Sequence, residues 1–158
     1  MKKLAMTAGG LAAGALLVGT LAAPAVAAGP HPDPHYGKDH KCVSERDVSS
    51  AVVDFAGSPL FGTVFSTATN RRGQAFLNDS RVPGAWINLN LIPGGPRCTT
   101  DTAVSVTEGA PGRLIISLLA ESGVIYRTTC VTSAVPFTSA NLAAACSGFT
   151  NIGAAPRF

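Results

Sequence analysis

The sequence predicts a mainly-β protein: a single antiparallel β-sandwich or open barrel with one or two short helices, stapled by two disulfides. Three observations carry this expectation. Short runs rich in β-branched and aromatic residues alternate apolar with polar side chains, the period-two mark of strands with one buried face. Gly, Pro, Asn and Ser separate those runs at regular intervals. The four cysteines, Cys42, Cys98, Cys130 and Cys146, form an even set spread along the chain. In an exported protein such a set reads as a disulfide framework.

Export is itself a reading of the first residues. Lys2 and Lys3 form a positive start, "LAAGALLVGTLAA" is a short apolar stretch, and Ala25-Val26-Ala27 supplies small residues for a peptidase. Residues 1–27 therefore read as a secretory signal cleaved after Ala27, of bacterial composition. The apolar stretch is broken by glycines and closed by Pro24, whereas a spanning helix needs about 20 apolar residues. No membrane attachment is expected once the signal is removed. The remaining length suffices for one domain with a real core. The formal charge of +3 comes from twelve basic and nine acidic residues. Because Lys2 and Lys3 leave with the signal and no acid does, the mature chain is close to neutral. Arg71-Arg72 is its one adjacent basic pair after the tail, which excludes the clustered footprint of a nucleic-acid binder.

Residues 28–41 read as a flexible Pro/His-rich tail. It holds every histidine of the chain, His31, His35 and His40, with Asp33 and Asp39 between them. Copper, nickel or zinc would favour such ligands. Pro32 and Pro34, however, favour polyproline II, in which His31 and His35 stand about 12 Å apart. The same prolines block helical i, i+4 pairing. The tail is accordingly read as a spacer; no metal site and no cofactor is expected, and His31, His35 and His40 are the only candidate ligands.

The domain itself, residues 42–158, is read element by element. In "SERDVSSAVVDFAG", Val48, Ala51, Val52 and Phe55 recur at helical spacing, with Ser44 as N-cap and Gly57 as stop. This predicts a short amphipathic helix, although Val-Val also allows a strand. "LFGTVFSTAT" then reads as a strand running into the turn "NRRG". "WINLNLI" alternates Ile87, Leu89 and Leu91 against Asn88 and Asn90, and "IPGGPR" closes it. "TAVSVTE" alternates again before "GAPG". "RLIISLLAESGVIYRTTCVT" reads as two strands about Glu121-Ser122-Gly123, with Leu114, Ile116 and Leu118 on one face. Leu114, Ile115, Leu118 and Leu119 also fit a helical stripe. "SANLAAACSG" suits a short helix capped by Ser139. Four cysteines admit three pairings. Cys42–Cys98 with Cys130–Cys146 is preferred among them, because the second bridge would tie the C-terminal segment to the strand before it.

Catalysis finds little purchase. No histidine follows His40 and no G-x-S-x-G elbow is present, so a Ser-His-Asp or Cys-His arrangement would have to borrow from the tail. Paired carboxylates drawn from Asp47, Asp54, Asp79, Asp101, Glu108 and Glu121 would allow an atypical hydrolase. Surface charges in turns is the preferred account of these acids. Asn78-Asp79-Ser80 matches the N-glycosylation triplet, which matters only in a eukaryotic secretory route.

The expected function is therefore non-catalytic: a secreted protein that binds an unknown extracellular macromolecule. Arg97, Arg71, Arg72 and Trp86 are the candidate contacts. Arg97 sits beside Cys98, where a bridge would lower the ordering cost of a rigid loop. That would suit a protease inhibitor presenting a basic residue, the leading specific version. Trp86 directly precedes an alternating strand and is read as core or sheet edge in preference to a sugar-stacking platform or an interface anchor.

Overall fold

The computed structural model describes residues 42–109 and 111–156. The expected signal with its expected cleavage residues Ala25 and Ala27, and the expected tail with His31, His35 and His40, lie outside these residues.

Eight strands form two four-stranded antiparallel sheets, each a simple meander. The first contains β1 (Val48–Val52), β2 (Val64–Thr69), β3 (Ala75–Asp79) and β4 (Trp86–Asn88). The second contains β5 (Thr99–Thr107), β6 (Arg113–Ala120), β7 (Val124–Val131) and β8 (Thr150–Ala154). A 3-10 turn (Leu89–Leu91) follows β4, and the one α-helix among the described residues, α1 (Leu142–Ala145), lies between β7 and β8. This is the mainly-β, two-disulfide architecture expected from the sequence.

Alternation sets the core. Phe65, Leu77 and Ile87 from the first sheet, with Leu89 of the 3-10 turn, meet Val104, Leu114, Ile116 and Leu118 from the second in one continuous buried cluster. The expected face of β6, with Leu114, Ile116 and Leu118 inward, is present, and the helical stripe through Ile115 and Leu119 is not. The two sheets abut where β1 runs beside β5. There the contacts are side chain to backbone: Thr102 N–H donates to Asp47 Oδ2 at 3.1 Å and Val104 N–H to Ser49 Oγ at 3.3 Å. Polar side chains on β1 and just before it, Ser49 and Asp47, thereby occupy backbone groups along the β5 edge and leave fewer of them open to another strand.

Four local expectations are corrected. Residues 48–52 form a strand rather than a helix. Val48 is 68% exposed and Val52 also faces solvent, so the helical stripe was not the buried set. Pairing with β2, in register from Val48 against Ala68 to Val52 against Val64, outweighs the local pattern. Ser44 is buried and donates to backbone carbonyls instead of capping a helix. The strand at Trp86 ends at Asn88, whose side-chain oxygen accepts from Asn90 N–H and starts the 3-10 turn. That turn shifts the phase, leaving Leu91 exposed and burying Ile92 in its stead. At α1 the capping position falls at Asn141, not Ser139. Asn141 Oδ1 accepts from Thr138 N–H at 2.8 Å, and its amide donates to Pro136 O.

The bridges are Cys42–Cys98 and Cys130–Cys146. The first packs on the turn between β2 and β3. Gly73 closes that turn at φ +66°, and a Cβ there would run into Cys42 Sγ. Gly62 has a similar φ of +80° but open space around its Cβ position. Gly62→Ala is therefore expected to cost only the left-handed backbone term of about 1–2 kcal/mol. Gly73→Ala adds displacement of the bridge, and its loss should exceed that of Gly62→Ala clearly in urea unfolding. Equal losses would mean that the turn does not press on the disulfide.

Candidate binding site

The site grows from a buried ion pair at the end of β3. Asp79 ends the inward-facing series Ala75, Leu77, Asp79 and is 1% exposed, so it is a core residue and not the surface charge the sequence suggested. A carboxylate in that position has to be paired and hydrogen-bonded. Arg81 provides this from two residues further on. Its Nε and Nη2 donate to Asp79 Oδ1 and Oδ2 at 2.9 and 2.6 Å, a two-pronged contact suited to guanidinium. Its backbone N–H also donates to Oδ1.

The pair reaches across to the segment after β7. Phe137 N–H donates to Asp79 Oδ2 at 3.0 Å, and Arg81 Nη1 donates to Ser133 O at 2.7 Å. The Arg81 guanidinium lies 5.7 Å from the Phe65 ring centre, and the Phe65 and Phe137 rings are 5.8 Å apart. Burial opposes the charge on Asp79. The Arg81 hydrogen bonds, the Phe137 and Arg81 N–H groups and the positive charge outweigh it, so the pKa lies below the ordinary aspartate value.

These contacts hold a strap, residues 133–139, against the first sheet. Its far end is tied by Cys130–Cys146, which closes the excursion that leaves β7 and returns through α1. Between the strap and β4 lies an open cleft of about 450 Å³, within the size range of small-molecule sites. One wall is Ala85, Trp86, Asn88, Asn90 and Leu91; the other is Phe137, Thr138 and Ser139, and Ile87 completes the lining. Trp86 is 48% exposed. Of the two expected placements, core or sheet edge, the structure gives the edge: Trp86 lies on β4, at the edge of the first sheet, out of phase with buried Ile87. Its backbone is nonetheless fixed: Trp86 pairs with Asn78, and the Asn78 amide donates to Ala85 O at 2.7 Å.

The arginines singled out in the sequence gather elsewhere. Arg71 and Arg72 occupy the turn whose Gly73 packs on Cys42–Cys98, and Arg97 precedes Cys98. All three are exposed. Among the described residues, Asp79–Arg81 is the one ion pair, so the three have no carboxylate partner there. The loop bearing Arg97 is anchored by the bridge and by Phe149 N–H donating to Pro93 O at 2.8 Å. Trp86 is not part of this cluster.

Two of the candidate carboxylates also meet. Asp47 and Asp101 lie against one another where β1 approaches β5, beside a register shift between Thr99 and Asp101. Burial and the neighbouring Asp47 charge raise the pKa of Asp101. Burial opposes ionisation of Asp47, but bonds from Thr102, Asp101 and Val48 lower its pKa. Among the described residues, no group of three His, Cys, Asp or Glu is placed to hold a metal.

Comparison with protein-family models, with curated proteins and with solved structures gives no match to this chain.

Asp79→Asn leaves Arg81 without its counter-charge, and a loss of about 3–5 kcal/mol is expected from breaking a buried pair. The pH dependence has a defined sign. With its folded pKa depressed, Asp79 stabilises the fold fully above its unfolded value of about 3.9 and less as pH falls through the folded value. Urea midpoints measured from neutral to acid pH should therefore decline less steeply in Asp79→Asn than in the native chain. Parallel declines would show that Asp79 is not the acid-sensitive group.

Proposed function

We propose that this is an exported, non-catalytic binding protein that seats its partner in the cleft beside Trp86. The observation that carries the reading is a half-exposed tryptophan on a rigid wall of a preformed cleft. Tryptophan offers a large contact area at small entropic cost and is enriched where binding energy concentrates. Both walls are fixed before any ligand arrives, one by the sheet and the other by the ion pair and a disulfide. Export is favoured by the signal-like start and by two disulfides. Among the described residues, no helix is long and apolar enough to cross a membrane.

A protease-inhibitor reading rests on exposed Arg97 in its anchored loop. It ranks second because the hollow beside Arg97 is smaller, about 180 Å³, and no aromatic side chain lines it. One pair of assays distinguishes the two. Wild-type chain and Trp86→Ala, both immobilised with bridges intact, are used to capture components of the producing cell's extracellular fraction. Trp86→Ala should lose a component that the wild type retains; removing the half-buried indole should cost about 1–3 kcal/mol, and a melting curve should show the variant still folded at the temperature of capture. Identical capture by both chains contradicts the cleft reading. Inhibition of trypsin-like or subtilisin-like activity at micromolar excess would transfer the function to the Arg97 loop.

A further inference from the structure

We propose that the ligand of the Trp86 cleft is a neutral saccharide, an assignment that rests on the cleft being the binding site. None of the lining residues carries a charge: Ala85, Trp86, Ile87, Asn88, Asn90, Leu91, Phe137, Thr138 and Ser139 are all neutral at every physiological pH. A phosphate, a carboxylate or a cationic side chain entering the cleft would lose hydration without gaining a counter-charge. Ionic ligands are therefore disfavoured.

The polar groups exclude the other extreme. Asn90, Thr138 and Ser139 are exposed, and neither the Asn90 side-chain amide nor the Thr138 and Ser139 hydroxyls bond to another described residue; the bonds at Asn90 and Thr138 use backbone groups alone. A purely apolar ligand would cover these groups and leave them unpaired, at a cost that a hydroxylated ligand avoids. What remains is a ligand that is uncharged, rich in hydroxyls and apolar on one face. A pyranose ring has this character: its C–H face packs on the indole of Trp86, whose π-face is negative and attracts polarised C–H groups. Its hydroxyls reach the amide and the two hydroxyl side chains.

An extended peptide is the alternative that the edge of β4 invites. Strand addition draws its affinity from a series of backbone bonds. Here the edge is only Trp86–Asn88 long before the 3-10 turn carries the chain away. So short an edge offers too few bonds, and short edges are a device against such pairing.

The chain contains a single tryptophan, so its emission reports this cleft alone. The full chain is titrated with neutral oligosaccharides of glucose, N-acetylglucosamine, xylose, mannose and galactose, and in parallel with uncharged extended peptides. A saturable change in emission is expected with at least one saccharide series, with an affinity that stays constant between about pH 5 and 9 because no lining group titrates there. Asn90→Ala and Thr138→Val, which keep Trp86 in place, should each weaken that affinity by about three- to tenfold. A response to peptides with none to saccharides overturns the saccharide assignment and leaves the cleft as the site. No response to either series, together with capture that Trp86→Ala does not alter, overturns both the assignment and the site. A saccharide response whose affinity changes across that pH range contradicts the uncharged mode of recognition.

Discussion

The buried Asp79–Arg81 pair is the constraint on which the candidate site depends. Each sheet is a meander whose strands contact their neighbours in sequence, and such sheets need only alternation and turns. The strap that follows β7 is different, because it has no ladder to hold it. Asp79 accepts its Phe137 N–H, and Arg81 takes its Ser133 carbonyl. One pair of side chains thus supplies what a strand partner would supply elsewhere. The charges are satisfied on all sides, which is the condition under which a buried pair is tolerated. Its effect is geometric: Phe137 is fixed against Phe65, and the wall carrying Thr138 and Ser139 stands at a set distance from Trp86.

The disulfides divide the remaining work. Cys130–Cys146 closes the loop that contains the strap and restricts its unfolded freedom, an effect of about 3 kcal/mol for a loop near this length. Cys42–Cys98 joins the segment before β1 to the start of β5 and packs on the β2–β3 turn, and the three exposed arginines adjoin it in sequence or through that turn. The molecule therefore presents two unlike surfaces, a neutral aromatic cleft and a basic turn region. The first combines a half-exposed tryptophan, walls held by backbone and ion-pair contacts, and free hydrogen-bonding groups, which is why the functional reading rests there.

Much of the fold was legible because strands with one buried face write that face into every second residue. Leu114, Ile116 and Leu118 did so without interruption, and the preferred disulfide pairing followed from the position of Cys146 after β7. Legibility failed where a polar residue turned inward or the phase shifted. In β3, Asp79 stands at a core position, so "AFLND" did not read as a strand, and its partner Arg81 gave no periodic signal. In β1 the helical spacing of Val48, Ala51, Val52 and Phe55 was accidental, and pairing with β2 decided the matter. Trp86 was recoverable. It shares its phase with Asn88 and opposes buried Ile87, so the same alternation that placed Ile87 inside placed the indole outside. The strap could not be read at all, because its wall is made by contacts between residues more than fifty positions apart.

The central claim is that Arg81 couples the strap to the first sheet. Amide hydrogen exchange on Arg81→Lys tests it directly, since lysine keeps the charge but cannot contact Asp79 with two prongs and Ser133 at once. The predicted result is accelerated exchange confined to residues 133–141 and the facing Ala85–Leu91 segment, with β5, β6 and β7 as protected as before. Unchanged protection in the strap, or a uniform loss across both sheets, would contradict the account.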